Sequence, residues 1–449
     1  MSAVAITGIG VVTSLGHDVE AFWARCLAGE GTAAPIPEHW HAYTDCRSTS
    51  WAPLPLPDFA EFGLARSERM QNDGVSLIAL CAATSALRHA GIDLSVANPR
   101  ANTFRLEGVD PTRAIVCMGT GIGGARSFLE NYCHHTMQRP VERLRQQLGG
   151  RDAMDPAIAA TLDAFRYPRR FNPFVVSMLM PNAVSAAVGI KFGLTGASLM
   201  YATACASGTV ALGQAARAIR SGQADLCLAG GAEYLDDDYG GIFRGFDAAG
   251  TLARGQDTER VNRPFDRDRS GFLYGQGGAC VMVLENLEHA RAAGRPVLGL
   301  IAGYAESFDA HSMMSLAPDG REIERTLRAA VSDAGLEVSE IDYLNAHGTS
   351  TQINDEVEAG VIERVFGTGV AVNSTKSLLG HTIGASGALE AAVCALSLRD
   401  GRTHPCRNLE NPIVELDFVR DALPRPLRAA ISQSFAFGGH NAALVLLPA

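Results

Sequence analysis

Cys205 stands in TACASG (203–208), between a stretch that predicts a strand over 198–203 and one that predicts a helix opening at 206–208. Amide N–H groups and the helix dipole at such a junction favour an anion, so the position predicts a thiol of lowered pKa. The small neighbours Ala204, Ala206 and Gly208 permit a sharp turn and close substrate approach, as in other nucleophile elbows. Taken alone, Cys205 fits a buried structural thiol equally well. Two histidines lie in polar, glycine-rich surroundings, His347 in NAHGTST (345–351) and His381 at the end of KSLLGH (376–381). Each follows a β-like run, over 341–344 and 370–373, and α/β folds place sites at the carboxyl ends of their strands. Lys376 comes five residues before His381, and Glu390 falls six residues into the next helix. An ion pair between them would tie loop to helix and orient the histidine, or serve as a plain structural salt bridge. The run Phe435-Ala436-Phe437-Gly438-Gly439 offers backbone amides suited to an oxyanion.

The elements that must position these residues repeat. ACASGTVALGQAARAIRSG from Ala204 matches IGASGALEAAVCALSLRDG from Ile383 at a constant offset of 179 positions. Three further pairs follow in the same order: HAGIDL with DAGLEV, CMGTG with AHGTS, and FLYGQGGACVMVL with FAFGGHNAALVLL. This is the mark of an old duplication, with two related α/β halves packed about a pseudo-twofold axis, residues 1–290 and 291–449, and a seam near 290–296. Apolar β-branched runs at 4–13, 114–118, 226–228 and 280–284 alternate with helical stretches such as 76–89, as in mixed sheets covered by helices. The charged, Arg-rich stretch 127–171 has no counterpart in the second half and reads as an inserted cap or interface element.

Composition narrows the function. Of 449 residues 47% are hydrophobic and 19% charged, with 47 glycines, which suits an α/β enzyme rather than a disordered chain. A net charge of -10 without a basic run argues against nucleic-acid binding. The first residues carry no basic leader region, and no apolar stretch has the length of a membrane span, so a cytoplasmic protein is expected. Ten scattered cysteines suit reduced thiols, and Cys133-His134-His135 lacks a second ligand pair at zinc spacing, so no metal is expected.

Together TACASG, NAHGTST, KSLLGH with the following GASGALE, and SFAFGGHN resemble, in order and across nearly the whole chain, the signature set of β-ketoacyl-[acyl carrier protein] synthases of the thiolase superfamily, in the type II, synthase II-like group. The resemblance implies the five-layered αβαβα thiolase fold and a dimer. It implies that Cys205 is the acylated nucleophile of a Cys-His-His triad with His347 and His381, supported by Lys376 and Glu390. Thr349 and Thr351 would hydrogen-bond a phosphopantetheine arm, the N–H groups of Phe437 and Cys205 would form the oxyanion hole, and Phe435 would gate the acyl pocket. The implied reaction is decarboxylative Claisen condensation of a malonyl thioester with the acyl group on Cys205. Both substrates arrive on acyl carrier protein, and no cofactor is bound. Arg66 and Arg69, with Arg139, Arg143 and Arg145 of the insertion, are the basic candidates for docking the acidic carrier.

The sequence departs from the family pattern with Ala436 at a usual glycine, His440 at a common threonine, Gln276 at a common acid and Gly250 at a common carrier-contacting arginine. With the long insertion, these leave fatty-acid elongation and a specialised polyketide or polyene pathway both open. A degradative thiolase would need a second catalytic cysteine in the C-terminal glycine loop. A synthase III would carry Asn where His381 stands. A non-catalytic chain-length-factor-like subunit would lack the nucleophile, although the chain could partner such a subunit in a heterodimer.

Overall fold

The computed structural model describes residues 3–42, 45–165, 167–168 and 170–449. Eleven strands form one continuous sheet system. In the first part of the chain these are β1 (Val4–Val12), β2 (Ala114–Gly119), β3 (Ser198–Tyr201), β4 (Leu226–Tyr234) and β5 (Gly277–Asn286). In the second they are β6 (Gly299–Phe308), β7 (Tyr343–Asn345), β8 (Ala371–Asn373), β9 (Asp417–Phe418), β10 (Ala430–Phe435) and β11 (His440–Leu447). Their spatial order is β9-β8-β7-β10-β11-β6-β1-β5-β4-β2-β3.

The order is symmetric about its centre, where Val4–Ile6 of β1 pairs antiparallel with Gly299–Ile301 of β6. Outward from β1 run two antiparallel ladders and then two parallel ones. Outward from β6 the same pattern recurs, with β9 added at the far edge. Each of the four repeated sequence pairs falls on equivalent elements of this pattern. β1 and β4 are buried along their whole length, which explains why they read as continuous apolar runs rather than alternating ones.

Six long helices cover the strands: α1 (Gly74–His89), α2 (Ala183–Phe192), α3 (Ser207–Arg220), α4 (Arg321–Asp333), α5 (Gln352–Phe366) and α6 (Ser386–Asp400). α1 and α2 lie outside the first group of strands, and α4 with α5 outside the second. α3 and α6 pack together in the middle, each touching strands of both groups. The result is five layers, αβαβα, built from two duplicated halves: the thiolase fold.

Position in the layers explains helix composition. α6 buries every residue from Ser386 to Leu398, and apart from Glu390 that stretch is apolar or small all round. α4 faces water on one side; it buries Ile323, Leu327, Ala330 and Val331 and pairs Glu324 with Arg328 on the other. The stretch 127–171 folds as short helices over the first half, and its aromatics Phe128, Tyr132 and Phe171 pack on one another at ring separations of 5.5 and 5.4 Å.

The two central helices meet at equivalent glycines. A Cβ at Gly208 would lie 2.8 Å from Ala388 N, and one at Gly387 would lie 1.9 Å from Thr209 Oγ1 and 2.9 Å from Ser434 Oγ. Gly387→Ala should therefore lower the urea midpoint by an amount equivalent to about 1–3 kcal/mol. An unchanged midpoint would mean that the helices separate without cost.

Candidate active site

Cys205 and its repeat-equivalent, Gly384, sit in matching elbows. The residue before each, Ala204 and Ile383, has φ +47°, a left-handed conformation costly for any side chain and most of all for β-branched isoleucine. Each elbow is braced by a serine at the following helix start. Ser207 Oγ accepts Thr203 N–H at 2.9 Å, and Ser386 Oγ accepts Thr382 N–H at 3.2 Å. The crossing of α3 and α6 brings the two elbows together.

This crossing carries His381 to the thiol: its Nε2 lies 3.1 Å from Cys205 Sγ. The other ring nitrogen is occupied, since Nδ1 accepts the Ile383 N–H at 3.3 Å and lies 3.0 Å from Ser386 Oγ. An acceptor at Nδ1 places the ring proton on Nε2, facing the sulfur. His347 is arranged in the same sense. Its Nδ1 lies 3.2 Å from Lys376 Nζ, a group that only donates, so Nε2 again carries the proton. The two imidazoles stand edge to face with centroids 5.5 Å apart. Lys376 forms the expected ion pair with Glu390, and both are buried.

The electrostatics reward neutral imidazoles. Burial, followed by the Lys376 cation, drives both histidine pKa values well below the usual range, and His381 adds to the effect on His347. Both rings are neutral N–H donors at neutral pH. The sequence-based expectation of a lowered thiol pKa does not hold. Burial pushes Cys205 up to about 12, although Lys376 and a hydrogen bond from Phe437 N–H pull the other way. Cys205 is 3% exposed, and the loss of water around a thiolate exceeds what the helix start returns.

A cavity of about 250 Å³ reaches Cys205, His347 and His381. Thr349, Thr351, Phe435, Ala436 and Phe437 line it, as does Gly250. The Thr349 and Thr351 hydroxyls are 2.9 Å apart, and the Phe435 ring packs on His347 at 5.6 Å. Ala436 has no left-handed backbone, so the turn accommodates alanine at this position. Gln276 takes a structural part, accepting Leu54 N–H at 2.7 Å. Arg66 and Arg69 are exposed on the helix Arg66–Gln71 and are not among the residues that line the cavity. Arg145 is held by Glu142 and Asp163, while Arg139 and Arg143 border a shallow surface hollow.

Several supporting groups escaped the sequence reading. Glu358 accepts the N–H groups of His347 and Gly348, both at 2.7 Å, and Asp355 accepts those of Thr349 and Ser350 at 3.1 and 3.2 Å. These two carboxylates hold the NAHGTST loop. Ser386 was legible, because the 179-residue offset makes it the counterpart of Ser207. Phe272, edge to face with His381 at 5.3 Å, was legible in the same way, as the repeat counterpart of Phe435.

A buried sulfur, two neutral imidazole N–H donors and an amide from a glycine-rich turn, on a thiolase fold, define a condensing acyltransferase. The sequence pattern of the beta-ketoacyl synthase N-terminal domain matches residues 1–290, and that of the C-terminal domain residues 298–410. The chain is 34% identical to the 3-oxoacyl-[acyl-carrier-protein] synthase 2 of Rhizobium meliloti (strain 1021), over 99% of both chains. It superposes on a crystal structure of a beta-ketoacyl synthase from Burkholderia phymatum STM815 with a TM-score of 0.81 and 29% identity, covering 100% of both chains. With the ishigamide ketosynthase/chain length factor the TM-score is 0.77 at 29% identity, covering 100% of this chain and 99% of that one. The chain belongs to the beta-ketoacyl synthase family. Among the described residues, no helix is long and apolar enough to cross a membrane.

Since the thiol stays protonated up to about 12, alkylation of Cys205 by iodoacetamide should climb by roughly tenfold per pH unit from about pH 7 to about pH 10. A plateau near neutral pH would show a thiolate that burial has failed to suppress.

Proposed function

We propose that this enzyme extends an acyl chain by two carbons, using acyl- and malonyl-loaded acyl carrier protein. The observation that carries the proposal is the presentation of two Nε2–H donors and the Cys205 sulfur in one buried cavity, with both Nδ1 atoms engaged elsewhere. In the first half-reaction the Cys205 sulfur attacks the acyl thioester, the C–S bond to the phosphopantetheine arm breaks, and the arm leaves as a thiol with the proton. Amide donors at Phe437 and Cys205 stabilise the tetrahedral oxyanion; each such donor is worth about 3–4 kcal/mol in comparable sites.

In the second half-reaction the malonyl thioester loses carbon dioxide, and negative charge grows on its thioester oxygen. Neutral imidazoles that donate hydrogen bonds suit this step better than a strong base would, because no proton has to be removed from carbon. The C2 carbanion attacks the acyl-cysteine, the Cys205 thiolate leaves and takes a proton from solvent, and a β-ketoacyl thioester is released. Thr349 and Thr351 sit along the cavity where the phosphopantetheine arm would run. Nothing in this sequence of bonds requires a bound cofactor.

Retention of the sulfur and both imidazoles favours a catalytic chain over a chain-length-factor-like one. The acyl chain belongs to fatty-acid or to type II polyketide or polyene synthesis. We further propose a dimer, either of two copies or with a related chain-length-factor-like subunit. β3 leaves one edge of the sheet unpaired, and Leu199 on it lies exposed, as do Ile190 and Val176 on neighbouring helices.

Light scattering should accordingly give twice the chain mass of 47.4 kDa for the purified protein, and Ile190→Glu/Leu199→Lys should halve it. A monomer of undiminished activity would overturn the assembly. For the chemistry, intact mass after incubation with acyl carrier thioesters should show one acyl group, lost in Cys205→Ala, and persistence in that variant would exclude Cys205 as the acceptor. His381→Ala should slow malonyl decarboxylation by on the order of 10²–10³. An unaltered rate would remove His381 from the oxygen-binding role.

A further inference from the structure

Glu233, near the end of β4, is fully buried, and no Lys, Arg or His among the described residues forms an ion pair with it. A carboxylate taken from water without a cation is costly unless donors replace the water. Here they do. Its oxygens accept Gly121 N–H at 2.6 Å, Gly384 N–H at 3.1 Å, Thr120 Oγ1–H at 3.1 Å and Ile122 N–H at 3.3 Å. These donors come from the two places that fix the reacting groups.

Gly384 follows Ile383, whose N–H holds His381 Nδ1. Thr120 lies against the other elbow, its carbonyl 3.1 Å from Ser207 Oγ, whose hydroxyl also reaches Ala204 O at 2.7 Å, and Ser207 braces the turn that carries Cys205. Glycine is required at both contact points. A Cβ at Gly384 would lie 2.8 Å from Glu233 Oε2, and one at Gly121 would lie 2.6 Å from it. By the duplication, Gly384 occupies the place of Cys205. Its N–H corresponds to the one that would face the transient oxyanion in the first elbow, and in the second it faces the resident carboxyl of Glu233.

Resting on the condensing function proposed above, we infer that Glu233 is a positioning residue, a built-in carboxyl acceptor in the second elbow that holds Ile383 in its left-handed conformation and so aims His381 Nε2–H at the reacting sulfur and oxygen. Without that acceptor at Gly384, the strained Ile383 turn loses the partner that offsets its backbone cost, and the Nδ1 of His381 loses a fixed donor. The ring is then free to change tautomer or rotate.

The test compares wild type with Glu233→Gln, whose amide cannot accept from all four donors. Side-chain 15N spectra of histidine-labelled protein, with His381 assigned by its loss in His381→Ala, report the tautomer without reference to turnover. The Glu233→Gln variant should lose the single Nε2–H signature of His381. Its kcat for condensation should fall on the order of 10- to 100-fold with KM for the carrier thioesters nearly unchanged. If Glu233→Gln does not fold, Glu233→Asp, which keeps the carboxyl but draws it back from both turns, should show the same two changes. A folded variant with wild-type His381 spectra and kcat would overturn the assignment, as would a kcat loss matched by the unfolded fraction while the His381 signature persists. Failure of wild type itself to condense would instead overturn the functional reading.

Discussion

Two helices buried between two groups of strands must come close enough to share one cavity, and here the approach is set by a pair of glycines. Gly208 and Gly387 remove the side chains that would keep α3 and α6 apart, and each stands three residues beyond its elbow position, Cys205 or Gly384. The contact therefore fixes where the elbows lie relative to each other. Everything reactive depends on that distance: the 3.1 Å separation between His381 Nε2 and the sulfur spans the two halves of the duplication. A single-copy fold could not bring its own helix start against itself. The duplicated one does so by symmetry.

Burial that close comes with electrostatic consequences, and they do not all point one way. Lys376 is a buried cation near the sulfur and both rings, and its charge lowers the pKa values of Cys205, His347 and His381. Desolvation lowers those of the histidines and raises that of the thiol. For the histidines the two effects add and give neutral donors. For Cys205 they oppose, and burial wins, so the resting nucleophile is a thiol. A site meant to carry an acyl group through a second half-reaction gains from dryness, because water excluded from the acyl-cysteine cannot hydrolyse it. A less reactive resting thiol accompanies that protection.

Much of this was legible in the sequence, and the parts that were not share a cause. The 179-residue offset predicted the paired elbows, although Ser386, the counterpart of Ser207 at that offset, was not singled out from it. The strand ends before His347 and His381 were placed correctly because short apolar runs bounded by glycine-rich turns leave few alternatives. The direction of the Cys205 shift was misjudged because a helix-start argument contains only the local dipole, whereas the cost of desolvation comes from packing by residues far apart in the chain. Glu358 and Asp355 were missed for a related reason. Within QINDEVEAG they resemble the acids of any solvated helix, and only the folded chain turns that face of α5 inward toward the backbone amides of 347–350.

The duplication also shows how one motif came to serve two purposes. The elbow, with its left-handed residue, its bracing serine and its helix start, presents a backbone N–H to the Glu233 carboxyl in one case and, in the reaction proposed above, to the thioester oxyanion in the other. In the first elbow the proposed oxyanion would come and go, and the position after the strained residue carries the Cys205 sulfur and faces the cavity. In the second elbow the acceptor is the carboxyl of Glu233, reaching across from β4 of the first half, and the corresponding position has to be glycine because Glu233 and Gly121 occupy the space a side chain would need. A permanently filled site cannot bind substrate, but it is rigid. That rigidity falls on the turn whose amide fixes the proton of His381, so a side chain from the first half, seated in the second elbow, supplies geometry on which the sulfur of the first elbow depends.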